Sequence, residues 1–318
     1  FDPLRENPRA ALLLTGGKVI LSWASSCDVG PFHGWIIAYD AHSLAQVGVF
    51  NTTPDGDDGG VWQGDAGLAA DAEGRVYAAT GNGTFDAASG GHDYGDTILQ
   101  LTLGPGGFTV SDYFTPFNQR ALNAGDRDLG SGGPMIFDQP EPHGHFLFMG
   151  GKGGSAYLVD RDRMGRFNAA ANTATLQTIR APGMIMGASA FWNNHVYSLW
   201  SSDVIKDFVV RGSRLVEVAR GADTFTDPGA TPTISANGSK DGIVWVVQTK
   251  TWNGRDRPAV LRAYDAANVA RELFHSDINS GRDGAGQALR FAIPTVVNGR
   301  VYVGGKREVD IYGLLPRA

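Results

Sequence analysis

One short pattern recurs six times along the 318-residue chain and limits the possible folds more than any other feature. A turn built from glycine, asparagine or a similar residue leads into a run of β-formers. The copies read GGKVILSW (16–23), EGRVYAAT (73–80), HGHFLFMG (143–150), WNNHVYSL (192–199), DGIVWVVQ (241–248) and NGRVYVGG (298–305). They stand roughly 50 to 70 residues apart, the period of propeller blades once loop insertions are allowed. Asn-Gly, Glu-Gly and Asn-Asn accept positive φ and so close tight hairpins. Ahead of the last five copies lies a strand of small residues, often with proline: GLAAD (67–71), GGPMIF (132–137), ASAFW (188–192), TPTIS (231–235) and IPTVV (293–297). Narrow side chains suit an innermost strand, where blades crowd together. A third strand follows each copy and usually a fourth, as in GWIIAYDAHSLAQVGVF (34–50) and AVLRAYDAANVARELF (259–274).

The pattern predicts an all-β fold: a β-propeller of four-stranded antiparallel blades, forming a single domain over 1–318. Six repeats are visible, at about 10–50, 67–114, 132–167, 187–219, 231–274 and 292–315. A β-sandwich would not need six copies of one hairpin in one register. The last repeat stops after EVDIYGLL (308–315) without an outer strand, and residues 1–9, with Pro3 and Pro8, make a poor closing strand. The expectation is that N-terminal blades are missing and that the native ring has seven or eight.

Composition narrows the partners. A net charge of −6 excludes the basic stripe of a nucleic-acid-binding protein. No apolar run approaches the roughly 20 residues that span a bilayer, so membrane insertion is not expected. Cys27 is the only cysteine, which rules out an internal disulfide; near a strand end it reads as a small packing residue.

The segments AYDAHSLAQVGVF (38–50), LVDRDRMGRF (158–167) and AYDAANVARELF (263–274) resemble the quinoprotein repeat, in which a hydrophobic strand ends in Ala-x-Asp, a turn and a Trp. Here the Asp is Asp40, Asp160 or Asp265, and Phe50, Phe167 or Phe274 stands for the Trp. The chain as a whole resembles the bacterial PQQ-like β-propeller repeat proteins, through GNGTFD (81–86), DYGD (93–96), DLGSGGP (128–134) and GATPTISANG (229–238). That resemblance implies export, hence a periplasmic or extracellular location. It does not carry the dehydrogenase chemistry over: PQQ in those enzymes stacks on a disulfide of adjacent cysteines, and Cys27 has no neighbour. PQQ is therefore not expected, and a shared fold is not an activity.

In a four-stranded blade, the loops from strand 2 to 3 and from strand 4 to the next blade leave on one face. The long insertions fall almost entirely in these two classes: 24–34, 51–65, 80–96, 115–133, 221–231, 249–257 and 275–290. Rigid scaffolds carry function on such loops. The candidate ligand-binding residues there are His33, Asp57, Asp58, Trp62, Asp93, Asp96, Asp126, Asp128, Arg282 and Asp283, with Trp252, Arg255 and Arg257 among them. Most loop Asp residues are turn formers that bond local backbone. The functional reading is that some converge to hold a hard cation such as Ca²⁺ through oxygen, or a polar ligand such as a glycan. His33, His92, Asp93 and Asp96 form a candidate His/carboxylate metal set. DGDDGG (55–60) lacks the spacing of an EF-hand loop. His143 and His145 alternate on a strand, but no third ligand follows, and an exposed turn is the simpler reading. No Gly-x-Ser-x-Gly, His-Glu-x-x-His or phosphate loop occurs.

The balance favours a non-catalytic binding or scaffold propeller, with an unidentified protein, small polar molecule or glycan as partner and Ca²⁺ as candidate cofactor. The alternative is a metal-dependent or divergent quinoprotein-type enzyme at the central mouth.

Overall fold

Each of the six hairpins becomes the first pair of strands in its own antiparallel sheet. The computed structural model describes residues 1–139, 144–249 and 258–314. The second strands are Lys18–Ser25, Val76–Ala79, Gly144–Gly150, His195–Ser198, Lys240–Gln248 and Arg300–Gly305. Each pairs with the small-residue strand before it and the β-rich strand after it. The turns between the first two strands do what their residues predict: Gly16, Gly17, Gly74, Asn193, Asn194, Gly238, Asn298 and Gly299 all have positive φ. The fold is a six-bladed β-propeller of four-stranded antiparallel sheets, the sixth having three strands among the described residues. The chain divides into two compact units, Phe1–Arg180 and Ala181–Ala318, with three blades in each. Within each unit, the first strands of neighbouring blades touch one another.

The core explains why the second and third strands are apolar throughout. In blade 2, Val76 and Ala78 pack with Ile20, Ile36 and Ala38 of blade 1. Tyr77 and Ala79, pointing the other way, pack with Leu147, Met149, Tyr157 and Val159 of blade 3. A strand covered on both sides loses its polar alternation, because both sets of side chains leave water. Blades 4, 5 and 6 repeat the arrangement around Tyr197, Val244, Val246 and Tyr264, then around Val247, Leu261, Val301 and Val303.

The repeated Asp keeps one job. Asp40 accepts from the N–H groups of His42 and Ser43 (3.1 and 2.8 Å), Asp160 from Asp162 (2.9 Å) and Asp265 from Ala267 (2.9 Å). Each is a side-chain-closed turn between the third and fourth strands.

Glu6–Pro8 forms a short strand, but it pairs with Trp23–Ser25 of blade 1 and, with Leu13–Thr15, makes the inner side of that blade. Proline is tolerated there because this is an edge position. Two expectations need correction. Phe167 does not end the outer strand of blade 3. Arg166–Phe167 pairs in parallel with Phe114–Thr115 of blade 2, and the outer strand of blade 3 is Thr175–Arg180. Cys27 is exposed, in a turn with φ of 59°, so it is not a packing residue.

Blades 2 and 3 are also joined by a buried charge. Arg161 is 2% exposed; its guanidinium lies 5.6 Å from the Tyr77 ring centre, donates to the Phe146 carbonyl (3.1 Å) and pairs with Asp138 and with Asp71 (3.4 Å). Arg161→Ala should cost about 3 kcal/mol, since it empties a packed, fully buried site and leaves the Phe146 carbonyl without its guanidinium donor. Arg282→Ala, in an exposed pair, should leave the unfolding midpoint close to the parent's. Urea unfolding of the two variants checks the contrast.

Candidate functional site

The long loops of unit 1 do not stand apart. Backbone bonds knit them together: Asp58 N–H to Phe32 O (2.9 Å), Gly59 N–H to Asn82 O (2.7 Å), Gly81 N–H to Gly60 O (2.8 Å), Asp96 N–H to Gly81 O (2.7 Å) and Gly130 N–H to Thr80 O (2.9 Å). The glycine content of these loops follows from that contact. A Cβ on Gly83 would lie 2.4 Å from the Gly59 nitrogen, and one on Gly95 would lie 2.1 Å from the Gly83 carbonyl oxygen. Asp58, Asp96 and Asp126 take positive φ, of 66°, 50° and 49°, a conformation that Asp tolerates better than most residues.

Two nodes result. In the first, His33 Nδ1 lies 3.1 Å from Thr53 Oγ1, which donates to the Asp58 carbonyl (2.8 Å). Asp57 donates its N–H to Thr84 Oγ1 (3.1 Å), and buried Asp93 accepts from the Asp55 N–H (3.0 Å). Burial raises the pKa of the Asp58 carboxyl, with help from nearby Asp57 and Asp28. His92 is exposed, 3.6 Å from Asp55.

The second node holds most of the charge. Asp128 accepts from the Asn82 N–H (2.9 Å) and from Lys152 Nζ (2.5 Å); Asp126 accepts from Asn82 Nδ2 and Lys152 Nζ (both 3.1 Å). Trp62 belongs here too, because a Cβ on Gly81 would meet both Asp128 Oδ1 (2.3 Å) and the Trp62 indole (2.6 Å). Asp96 is fully buried, and its Oδ1 accepts the Leu129 N–H (3.0 Å). Its Oδ2 and the Asn82 Oδ1 are buried without a protein partner. Burial pushes the Asp96 carboxyl well above the ordinary range, against the Leu129 hydrogen bond and Lys152 and with the repulsion of Asp128 and Asp126. Burial also works against the Lys152 ammonium, yet Asp128 and Asp126 hold its pKa above the usual value.

The structure thus brings Trp62, Asp96, Asp126 and Asp128 together, and His33, Asp57, Asp58 and Asp93 beside one another. It does not assemble His33, His92, Asp93 and Asp96 into one ligand shell: no group of three or more His, Cys, Asp or Glu suited to a metal occurs among the described residues. Asp93 and Asp96 each give one carboxylate oxygen to a backbone N–H, that of Asp55 and of Leu129. Arg282 and Asp283 pair with each other (2.6 Å) in a short helix of unit 2, Ser280–Asp283. His145 pairs with Asp162 (2.8 Å); His143, Trp252, Arg255 and Arg257 lie outside the described residues. Sequence reasoning missed Asn82 and Lys152. The signal for Lys152 was a lone lysine in Gly150–Gly154, the short loop facing the long ones.

Comparison with known proteins supports the fold. No family model matches the chain, and no curated protein matches it. Among solved structures, the chain is similar to BamB from Moraxella catarrhalis, with 16% identity and a TM-score of 0.56 over 94% of this chain and 70% of that one. It is similar to the quinohemoprotein alcohol dehydrogenases from Comamonas testosteroni (14%, TM-score 0.60) and Pseudomonas putida HK5 (14%, TM-score 0.59), covering 56% of each and 94% and 95% of itself. The class is therefore a β-propeller, the fold of these structures; at these identities the likeness speaks for the fold alone.

Asp96 gives the site a pH signature. Its folded pKa is raised, so the folded state holds a proton that the unfolded chain releases from about pH 4 upward. Its contribution therefore favours folding at low pH and weakens as pH rises toward the folded pKa. Asp96→Asn should flatten this part of the pH dependence, becoming relatively more stable than the parent at pH 8 than at pH 5. Lys152→Met should lose about 2 kcal/mol at pH 7, by leaving buried Asp128 unpaired. Denaturant unfolding at the two pH values checks both.

Proposed function

We propose that this chain is a non-catalytic binding propeller whose loop-rich end in unit 1 is the recognition surface. The observation that supports it is the knitted pair of nodes, in which loops from three blades are fixed to one another by main-chain bonds. Such a surface meets a partner with little ordering cost. Its exposed polar groups, Asp57, His92 and Asp126, suit a polar partner, either a protein segment or a glycan. Lys152 supplies the positive charge at Asp126 and Asp128, so recognition at that node does not depend on Ca²⁺. A periplasmic or extracellular location is part of the proposal; among the described residues no helix is long and apolar enough to cross a membrane.

The test is a binding screen of immobilised full chain against glycans and exported-protein peptides, run in calcium and in chelator. A ligand should be retained by the parent and weakened about tenfold or more by the combined Asp57→Lys and Asp126→Lys substitutions. Oxidation of an alcohol by the chain supplied with PQQ would overturn the reading, as would a ligand indifferent to both substitutions.

A further inference from the structure

At the end of unit 2 that carries the short turns, blades 4 and 5 enclose an open cleft of about 570 Å³. That volume lies within the range of small-molecule sites. Trp192, Asn193 and His195 face it from blade 4, and Asp241, Asp265 and Arg271 from blade 5.

The lining is held in place from behind. His195 Nδ1 lies 2.8 and 3.0 Å from the two carboxylate oxygens of Asp207, which is completely buried. A carboxylate only accepts, so Nδ1 donates to Asp207 and Nε2 is the ring's remaining polar atom, without a protein partner among the described residues. The imidazole stacks on Tyr197, with centroids 6.1 Å apart and planes 10° from parallel, and the Tyr197 hydroxyl donates to the Ala266 carbonyl (2.7 Å) in the opposite blade. Trp192 is fixed in the same manner. Its Nε1 donates to the Gly238 carbonyl (2.9 Å), and a Cβ on Gly242 would sit 2.6 Å from the indole, so only glycine lets the ring lie there. Asp265 is steadied by the Ala267 N–H (2.9 Å) and Arg271 (3.3 Å). Asp241 and Asn193 leave their side chains without a protein partner among the described residues.

An aromatic wall, a fixed imidazole, carboxylate and amide groups and one guanidinium make a particular chemistry. The ring offers an apolar face to C–H groups, while the polar groups offer both donors and acceptors at its edge. A phosphate would meet two carboxylates, and an apolar ligand would strand the polar rim. We propose that this cleft binds a neutral mono- or disaccharide, stacked on Trp192 with hydroxyls bonded to His195 Nε2 and Asp241. The site is separate from the loop surface of unit 1 and does not depend on the reading given to it.

Calorimetric titration of the full chain with maltose, cellobiose and N,N′-diacetylchitobiose tests it. At least one should bind saturably, with Kd between about 10 μM and 1 mM. Trp192→Ala and His195→Ala should each weaken that binding about tenfold or more. Trp192 also packs against the blade 4–5 core, so Asp241→Asn is the second probe. Asp241 is exposed with φ of 55°, which Asn accepts, so this variant should fold as the parent does and bind at least about threefold more weakly. If none of the three sugars binds below about 10 mM, the proposal fails. It also fails if a sugar binds Asp241→Asn and every folded Trp192 or His195 variant with parental affinity.

Discussion

The middle strands of blade 2 are covered on both faces, and the arrangement of unit 1 follows from meeting that demand. Val76 and Ala78 turn toward blade 1 while Tyr77 and Ala79 turn toward blade 3. A single four-stranded sheet of this composition would expose two apolar faces to water, so no blade is a stable object alone. Stacking neighbours removes both faces at once. It also fixes which ends of the strands emerge together, and that is what gathers the inserted loops of unit 1.

Gathered loops raise a second problem, because the insertions of unit 1 are rich in aspartate. The structure answers it in three ways. Several carboxylates bond nearby N–H groups, as Asp86, Asp93 and Asp128 do. Lys152, arriving from the otherwise short loop of blade 3, neutralises Asp126 and Asp128 together. Asp96 has only the Leu129 N–H and is buried among like charges, which favours its neutral form. The outcome is a fixed polar surface in place of a set of independent loops.

Much of the fold was legible because it rests on local chemistry. The six hairpins declare themselves through turn residues and β-formers a few positions apart, and the Ala-x-Asp turns through a side chain that bonds its own backbone. Where the reading failed, distance in the sequence or a coincidence of spacing was responsible. Phe167 follows Asp160 much as Phe50 follows Asp40, yet seven more residues intervene before the true outer strand at Thr175–Arg180. The carboxylates of the loop surface were visible as a group. Their partners were not: Asn82 lies 46 positions from Asp128, and Lys152 lies 24. The cleft in unit 2 was invisible for the same reason, since the turns that line it look like ordinary tight turns.

The claim on which the functional account leans is that the long loops of unit 1 form one fixed surface. Amide hydrogen exchange measures this residue by residue, because loops held by main-chain bonds exchange only when those bonds open. The amides of Gly59, Gly81, Asp96 and Gly130 should be protected to a degree comparable with the blade strands. Exchange of these four amides at the rate of an unstructured peptide would contradict the account.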